Sequence, residues 1–131
     1  MFCYCATSRR IARTLTARYD AALAPSGLTA AQFETLSVLA SLQTATGRTL
    51  VDKLAVDKTT LSRNLQGMIA AKLVLAKQDK ADTRQQHYTL AAEGRKKLAN
   101  AMPLWQAIHD ETEALFNVSA MPSLQRMAAA L

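Results

Sequence analysis

Residues 48–90 read RTLVDKLAVDKTTLSRNLQGMIAAKLVLAKQDKADTRQQHYTL, and this stretch carries the strongest structural signal in the chain. Residues 48–54 have the apolar spacing of a short helix, and a turn at residues 55–57 separates them from a longer helical pattern. Two extended runs, residues 74–78 and 86–90, then flank a charged loop. A helix, a tight turn, a second helix and a basic hairpin in this order predict a winged helix-turn-helix.

The second helix of this pattern has two chemically different faces. At about 100° per residue, Leu61, Leu65, Met68 and Ile69 form an apolar stripe with the spacing of a core-facing helix. The opposite face is polar and consists of Thr59, Ser62, Arg63, Gln66 and Ala70. Its hydroxyl, amide and guanidinium groups are the kinds that donate to phosphates and read base edges, so we expect this face to enter a DNA major groove. The alternative is a helix face that is merely solvated. Asp57, just before the helix, is interpreted as its N-cap only.

The basic charge of the chain is concentrated in the same region. The 131 residues include 16 Lys and Arg against 10 Asp and Glu, a net charge of +6. Residues 48–97 alone contain eleven of these bases and five of the acids, and Arg9, Arg10, Arg13 and Arg18 add a weaker contribution. A focused positive charge is typical of a protein that binds a polyanion.

Helical patterns surround this module. Residues 8–23 form the first helical pattern. Thr29 and Gln32 fit a capping box that opens a second helix, with Phe33, Leu36, Leu39 and Ala40 expected to face inward. Residues 92–116 form a long helical pattern that Pro103 should kink or divide. Residues 121–131 form a short amphipathic end. We therefore expect a mainly α (α+β) fold in one domain spanning residues 1–131: a DNA-binding lobe at about 29–91 with a two-stranded β-wing, and terminal helices at about 6–24 and 92–131.

The terminal helices carry more apolar surface than one small core can cover. This surface predicts a homodimer whose interface is built from both ends of the chain, with a two-fold axis that matches a palindromic DNA site. The residues expected at this interface are Ile11, Leu15, Tyr19, Trp105, Ile108, Leu115 and Leu124. The alternative is a larger monomeric core.

Cys3 and Cys5 lie near the expected start of the first helix. They are interpreted first as ordinary apolar residues, with redox sensing and metal or metalloid binding as alternatives. Two cysteines do not make a disulfide framework, and we find neither a leader segment nor a membrane span, so the expected compartment is the cytoplasm. No catalytic, cofactor or metal motif is recognisable, which argues against an enzyme. A helical interaction adaptor would explain the terminal helices but not the basic polar helix with its wing.

At three motifs the chain resembles the MarR-type (multiple antibiotic resistance regulator) winged-helix repressors. The motifs are residues 28–33, residues 57–65 and the wing, residues 79–84, and the resemblance covers nearly the whole chain. It implies a homodimer that binds a pseudo-palindromic operator in double-stranded DNA, usually as a repressor. It also implies that Arg84 enters the minor groove with Asp82 as its orienting carboxylate. Many relatives release DNA when a small, often phenolic, effector binds between the dimer helices and the DNA-binding lobe, and others respond through a cysteine.

The helix face, the wing and the resemblance together predict a set of DNA-contacting residues. They are Arg48, Thr49, Lys58, Thr59, Thr60, Ser62, Arg63, Gln66, Lys77, Lys80, Asp82 and Arg84. Two positions depart from the family pattern, which has Gly where this chain has Lys72 and Thr where it has Ala91. A left-handed Lys72 costs about 1–2 kcal/mol, and Ala91 forgoes an N-cap worth about 1 kcal/mol.

Overall fold

The computed structural model describes residues 2–116 and 120–131. The chain runs through α1 (Tyr4–Leu23), a 3-10 turn (Ala24–Ser26), α2 (Ala30–Leu42), β1 (Ala45–Thr46), α3 (Gly47–Leu54), α4 (Lys58–Ala70), β2 (Val74–Gln78), β3 (Gln86–Leu90), α5 (Ala92–Leu115) and α6 (Met121–Ala130). The three strands form an antiparallel sheet in the order β1-β3-β2. This is the mainly helical winged fold that the sequence predicts.

The sheet differs from the prediction in one respect, because it has a third strand. In β1, Ala45 pairs with Tyr88 and Thr46 pairs with His87, so β3 is the central strand. The prediction of a two-stranded wing was therefore incomplete. A strand of two residues is too short to show the alternation by which strands are read from sequence.

The helix limits differ from prediction at two places. α1 begins at Tyr4 instead of Ser8, since nothing between these residues breaks a helix. α5 runs unbroken through Pro103, so the alternative that a new segment begins there was wrong. Proline removes one backbone donor from the helix, but Pro103 is exposed and water can satisfy the carbonyl that it leaves without a partner.

The core lies between α2, α3, α4 and the sheet, with α5 and the end of α1 closing it. Leu23, Leu36, Leu39, Leu50 and Met68 have no exposed surface at all. The capping box at Thr29 and Gln32 is present and fixes the start of α2. Ala40, which was expected to face inward, is exposed.

The end of α4 follows the Schellman pattern with a lysine at its left-handed position. Lys72 has φ 61°, as expected from its place in the family pattern. Its N–H donates to the Ile69 carbonyl at 3.0 Å, and the Leu73 N–H donates to the Met68 carbonyl at 2.9 Å. These two bonds satisfy carbonyls at the helix end and turn the chain into β2. Ala91, as expected, caps α5 without a side-chain hydrogen bond.

Gly94 allows α5 to start directly against the α4–β2 junction. A Cβ at this position would lie 2.1 Å from the Leu73 carbonyl oxygen, which also accepts the Ala91 N–H at 3.0 Å. The contact is with backbone, which cannot rotate away as a side chain can. The wing is thus joined to the long helix at a point where only glycine fits.

Gly94→Ala is therefore expected to lower the free energy of unfolding by about 1–3 kcal/mol, the usual cost of overpacking. Urea denaturation followed by circular dichroism measures the change. Gly67→Ala is the matched control, because nothing lies within 4 Å of a Cβ there and alanine in a helix is favoured over glycine by about 1 kcal/mol. Equal stability of the two variants would contradict the close contact.

Candidate nucleic-acid interface

α4 is held at a fixed starting point by Asp57. The Thr60 N–H donates to Asp57 Oδ1 at 2.7 Å, and the Thr60 hydroxyl donates to Asp57 Oδ2 at 2.9 Å. The backbone bond and then the hydroxyl bond lower the pKa of the Asp57 carboxyl, which keeps the cap charged and favourable at the helix N-terminus. The Thr60 hydroxyl proton is therefore used by this cap, although Thr60 is among the residues that the sequence predicts to contact DNA.

The two faces of α4 are separated as the sequence predicts. Leu61, Leu65 and Met68 are buried, and Ile69 is half-buried. The outward side chains of Thr59, Ser62, Arg63 and Gln66, together with Ala70, are all exposed. α4 thus presents hydroxyl, guanidinium and amide groups to solvent from a helix anchored on its other side.

A groove of about 530 Å³ lies between α4, the start of α3 and the wing. Its walls contain three cationic side chains, those of Arg48, Lys58 and Arg84, and none of its lining residues is acidic. The full lining is Thr46, Gly47, Arg48, Val51, Lys58, Leu61, Ser62, Leu65, Arg84, Gln85, Gln86 and Tyr88. The groove brings predicted residues from three separate elements together on one positively charged surface.

The wing presents Arg84 outward. Asp82 Oδ1 accepts both the Arg84 N–H at 3.1 Å and Arg84 Nε at 3.2 Å, while the arginine side chain stays 90% exposed. Lys77 and Lys80 are also exposed on the wing. Thr49, by contrast, is half-buried, and its hydroxyl lies 3.1 Å from that of Thr46, the cap of α3. Thr49 therefore helps to stabilise the start of α3, and its hydroxyl is not a free donor for DNA.

Three wing residues of this surface were missed by sequence reasoning. Gln85, Gln86 and Tyr88 line the groove. Gln86 and Tyr88 are two apart in a strand and so share a face, which the alternation could have revealed. His87, the residue between them, does not line the groove; it is half-buried with Nε2 2.7 Å from Asp79 Oδ2.

The residues predicted for the dimer interface fall into three groups. Ile108 is buried within its own chain, and Trp105 stacks on Phe33 at 5.7 Å between ring centroids, so both serve the monomer core. Tyr19 and Leu15 are half-buried, and the Tyr19 hydroxyl lies 3.5 Å from His109 Nδ1. The other three, Ile11, Leu115 and Leu124, are exposed by 41%, 66% and 42%.

The cysteines lie at the start of α1. Cys3 is its N-cap with extended backbone, Cys5 is in the first turn, and both are exposed free thiols. The core of the single chain does not include them. Their interpretation as ordinary apolar residues and the alternative of a sensing role both stay predictions. Within residues 2–116 and 120–131, no three His, Cys, Asp or Glu side chains come together in a way that could hold a metal ion.

A helix-turn-helix with an exposed polar second helix, a basic groove and an arginine-bearing wing defines a winged-helix DNA-binding protein. The family model described as MarR family matches residues 26–92. The M. tuberculosis transcriptional regulator MosR, solved in complex with DNA, is 40% identical to this chain with a TM-score of 0.86, over 98% of this chain and 92% of that one. The chain belongs to the MarR family of DNA-binding transcriptional regulators.

Two further structures agree with this assignment. A second crystal structure of MosR gives 37% identity and a TM-score of 0.80, over 98% of this chain and 91% of that one. BpsR of Bordetella bronchiseptica gives 26% identity and a TM-score of 0.83, over 93% and 96% of the two chains. A search of curated proteins returned no match. In the described part of the chain, none of the helices has the length and apolar character that crossing a bilayer requires.

Proposed function

We propose that this protein is a homodimeric repressor that binds a pseudo-palindromic operator through α4 and the wing of each copy. The observation that carries the proposal is the groove in which Arg48, Lys58 and Arg84 converge beside the exposed face of α4. A surface of this kind combines cations for phosphates with donors for base edges. The family membership and the DNA-bound structure of MosR support it.

Each side chain of this surface then has an expected role. Arg63 and Gln66 point outward from the middle of α4, where they can reach base edges. Lys58, at the helix start, is suited to a phosphate, as are the exposed wing residues Lys77 and Lys80. Arg84, which is hydrogen-bonded to Asp82, is suited to a narrow minor groove.

The dimer is supported by apolar surface at both ends of the chain. Every residue of α6 is exposed, including Met121, Leu124 and Met127 at 46%, 42% and 45%. A helix of ten residues is only marginally stable in water without tertiary packing. Leu115 and Phe116, at the end of α5, are also exposed. A second copy that covers these residues would remove their apolar surface from water, and a two-fold axis would then relate the two α4 helices.

The proposal is tested on the DNA immediately upstream of the protein's own coding region. A fluorescence anisotropy titration at moderate salt should show that this duplex binds at least about a thousandfold more tightly than a scrambled duplex. In a transcription assay, the protein should lower the yield from that promoter. Equal affinity for both duplexes would contradict sequence-specific binding, and a raised yield would contradict repression.

The wing gives a separate prediction. Arg84→Ala is expected to weaken operator binding most where the flanks are A·T-rich, because a narrow minor groove attracts arginine. Asp82→Asn should have the same effect more mildly, since the orienting carboxylate is lost. The measurement is the ratio of dissociation constants on A·T-rich and G·C-rich flanks. If neither variant changes this ratio, the wing does not enter the minor groove.

We also propose that a small aromatic acid releases the DNA. A cleft of about 590 Å³ lies between α2 and α3 of the DNA-binding lobe and α5, with Phe33, Trp105 and Met102 on its apolar side and Lys53 as a cation for a carboxylate. Glu34 also lines it, and burial raises the pKa of this carboxyl. BpsR has its DNA binding regulated by 6-hydroxynicotinic acid, and NadR was solved with 4-hydroxyphenylacetate.

The effector proposal predicts that an aromatic hydroxy acid raises the melting temperature of the free protein and weakens operator binding. The first probes are 6-hydroxynicotinic acid and 4-hydroxyphenylacetate. Lys53→Ala should abolish both effects, because it removes the cation that the cleft offers to a carboxylate, and Lys53 is exposed, outside the core. The proposal fails if a panel of such acids changes neither the melting temperature nor the affinity for the operator.

A further inference from the structure

We propose that Asp79 and His87 are positioning residues for DNA binding, which hold the wing tip so that Arg84 is presented in one orientation. The inference rests on the proposed role of Arg84 in the minor groove. Neither residue is placed on the DNA itself. Both act through a chain of hydrogen bonds that runs from the central strand to the tip.

The first hydrogen bond of this series lies at the sheet. His87 lies on β3, opposite Lys77 of β2 and Thr46 of β1. Its Nε2 is 2.7 Å from Asp79 Oδ2, and Asp79 is the first residue after β2. The side chains of His87 and Asp79 are 38% and 26% exposed, so they are partly shielded from water at the base of the loop. The pair therefore joins the end of one strand to the middle of the sheet.

The second oxygen of Asp79 organises the tip. Asp79 Oδ1 accepts the backbone N–H of Ala81 at 2.7 Å and that of Asp82 at 3.1 Å. The Asp79 N–H in turn donates to the Gln85 carbonyl at 2.9 Å, which closes the loop. The bond from His87 and then these backbone N–H groups lower the pKa of Asp79 to about 2, so the carboxylate is charged at every pH used for DNA binding.

The last hydrogen bonds of the series hold Arg84. Asp82, whose backbone is fixed by Asp79, accepts the Arg84 N–H and Nε through Oδ1 at 3.1 and 3.2 Å. Gln78 Nε2 donates to the carbonyl of Thr83 at 2.6 Å and so holds the residue between Asp82 and Arg84. The Arg84 side chain is 90% exposed, so this bond at the tip is what sets its direction. An arginine that must be ordered during binding costs about 2- to 12-fold in affinity.

The test is a double-mutant cycle on the full-length protein and the upstream operator duplex. His87→Ala is expected to weaken binding by about 2- to 12-fold for each copy, about 5- to 150-fold for the homodimer, mostly on A·T-rich flanks. His87→Gln should restore it, because the amide can still donate to Asp79. In an Arg84→Ala background, His87→Ala should have no further effect. NMR of the free protein should show the Arg84 Nε–H becoming more mobile in His87→Ala.

The outcomes separate the two proposals. If Arg84→Ala weakens binding and His87→Ala does not, only the positioning role is overturned. It is also overturned if His87→Ala weakens binding equally with and without Arg84. If Arg84→Ala is itself without effect, the wing contact and the positioning role fall together. Asp79→Ala, which lies outside the strands, should give the same loss as His87→Ala and serves as the test if the histidine variant does not fold.

Discussion

Arg63→Ala is expected to lower operator affinity by about 1–3 kcal/mol for each half-site if the arginine reads a base. A homodimer uses the residue twice, so the smallest loss, about 2 kcal/mol, already corresponds to roughly 30-fold. The side chain is exposed in the middle of α4, and Leu61, Leu65 and Met68 anchor the other side of this helix. Removing the guanidinium should therefore change binding and leave the fold intact. Anisotropy titrations on the operator and on its single-base variants measure the loss.

The matched control for Arg63 is Lys58→Ala, on the same helix. A lysine that contacts a phosphate should affect all sequences about equally and reduce the slope of log affinity against log salt by about 1 for each copy. Arg63→Ala should instead relax the preference at one position of each half-site. Unchanged operator binding by Arg63→Ala would refute the assignment of α4 as the reading helix.

Charged residues on the apolar face of α6 are expected to abolish the dimer. Leu124 and Met127 lie three residues apart on one face, and nearly half of each side chain is exposed in the single chain. The double variant Leu124→Glu with Met127→Glu would bury four carboxylates in the interface, at a cost of several kcal/mol for each buried charge. Light scattering should then report a monomer or aggregate, and operator binding should be lost because one α4 reads only one half-site.

Gln125→Glu with Ala129→Glu is the control for this variant. It adds the same charge to the same helix on the other face, since residues 125 and 129 are centred about 150° around the helix from residues 124 and 127. This variant should remain dimeric and bind the operator. A dimer that tolerates glutamate at both 124 and 127 would show that α6 does not form the interface.

The sequence predicts best those parts of the fold whose signals are local. α4 could be placed because its N-cap, Asp57, and its apolar stripe from Leu61 to Met68 lie within one short stretch. The limits of β2 and β3 were likewise correct, because the charged loop between them separates two extended runs. The predicted DNA-contacting residues on α4 and the wing follow from the positions of these elements.

What could not be predicted depends on contacts between distant residues. β1 exists only because Ala45 and Thr46 meet residues about forty positions further along the chain. The bond between His87 and Asp79 needs the register of the hairpin, which places Lys77 opposite His87. Periodicity also shows which face of α5 is apolar but not what covers it. Ile108 is covered within its own chain, whereas Leu115 is left exposed.

The most direct test of the proposed function is a selection of DNA duplexes from a random library by the full-length protein, followed by sequencing. We expect enrichment of an inverted repeat whose half-site centres lie about 10 base pairs, one helical turn, apart. This spacing follows from two α4 helices that enter successive major grooves on one face of the DNA. No enrichment over the starting library, or a single unrepeated motif, would contradict the dimeric reading of an operator.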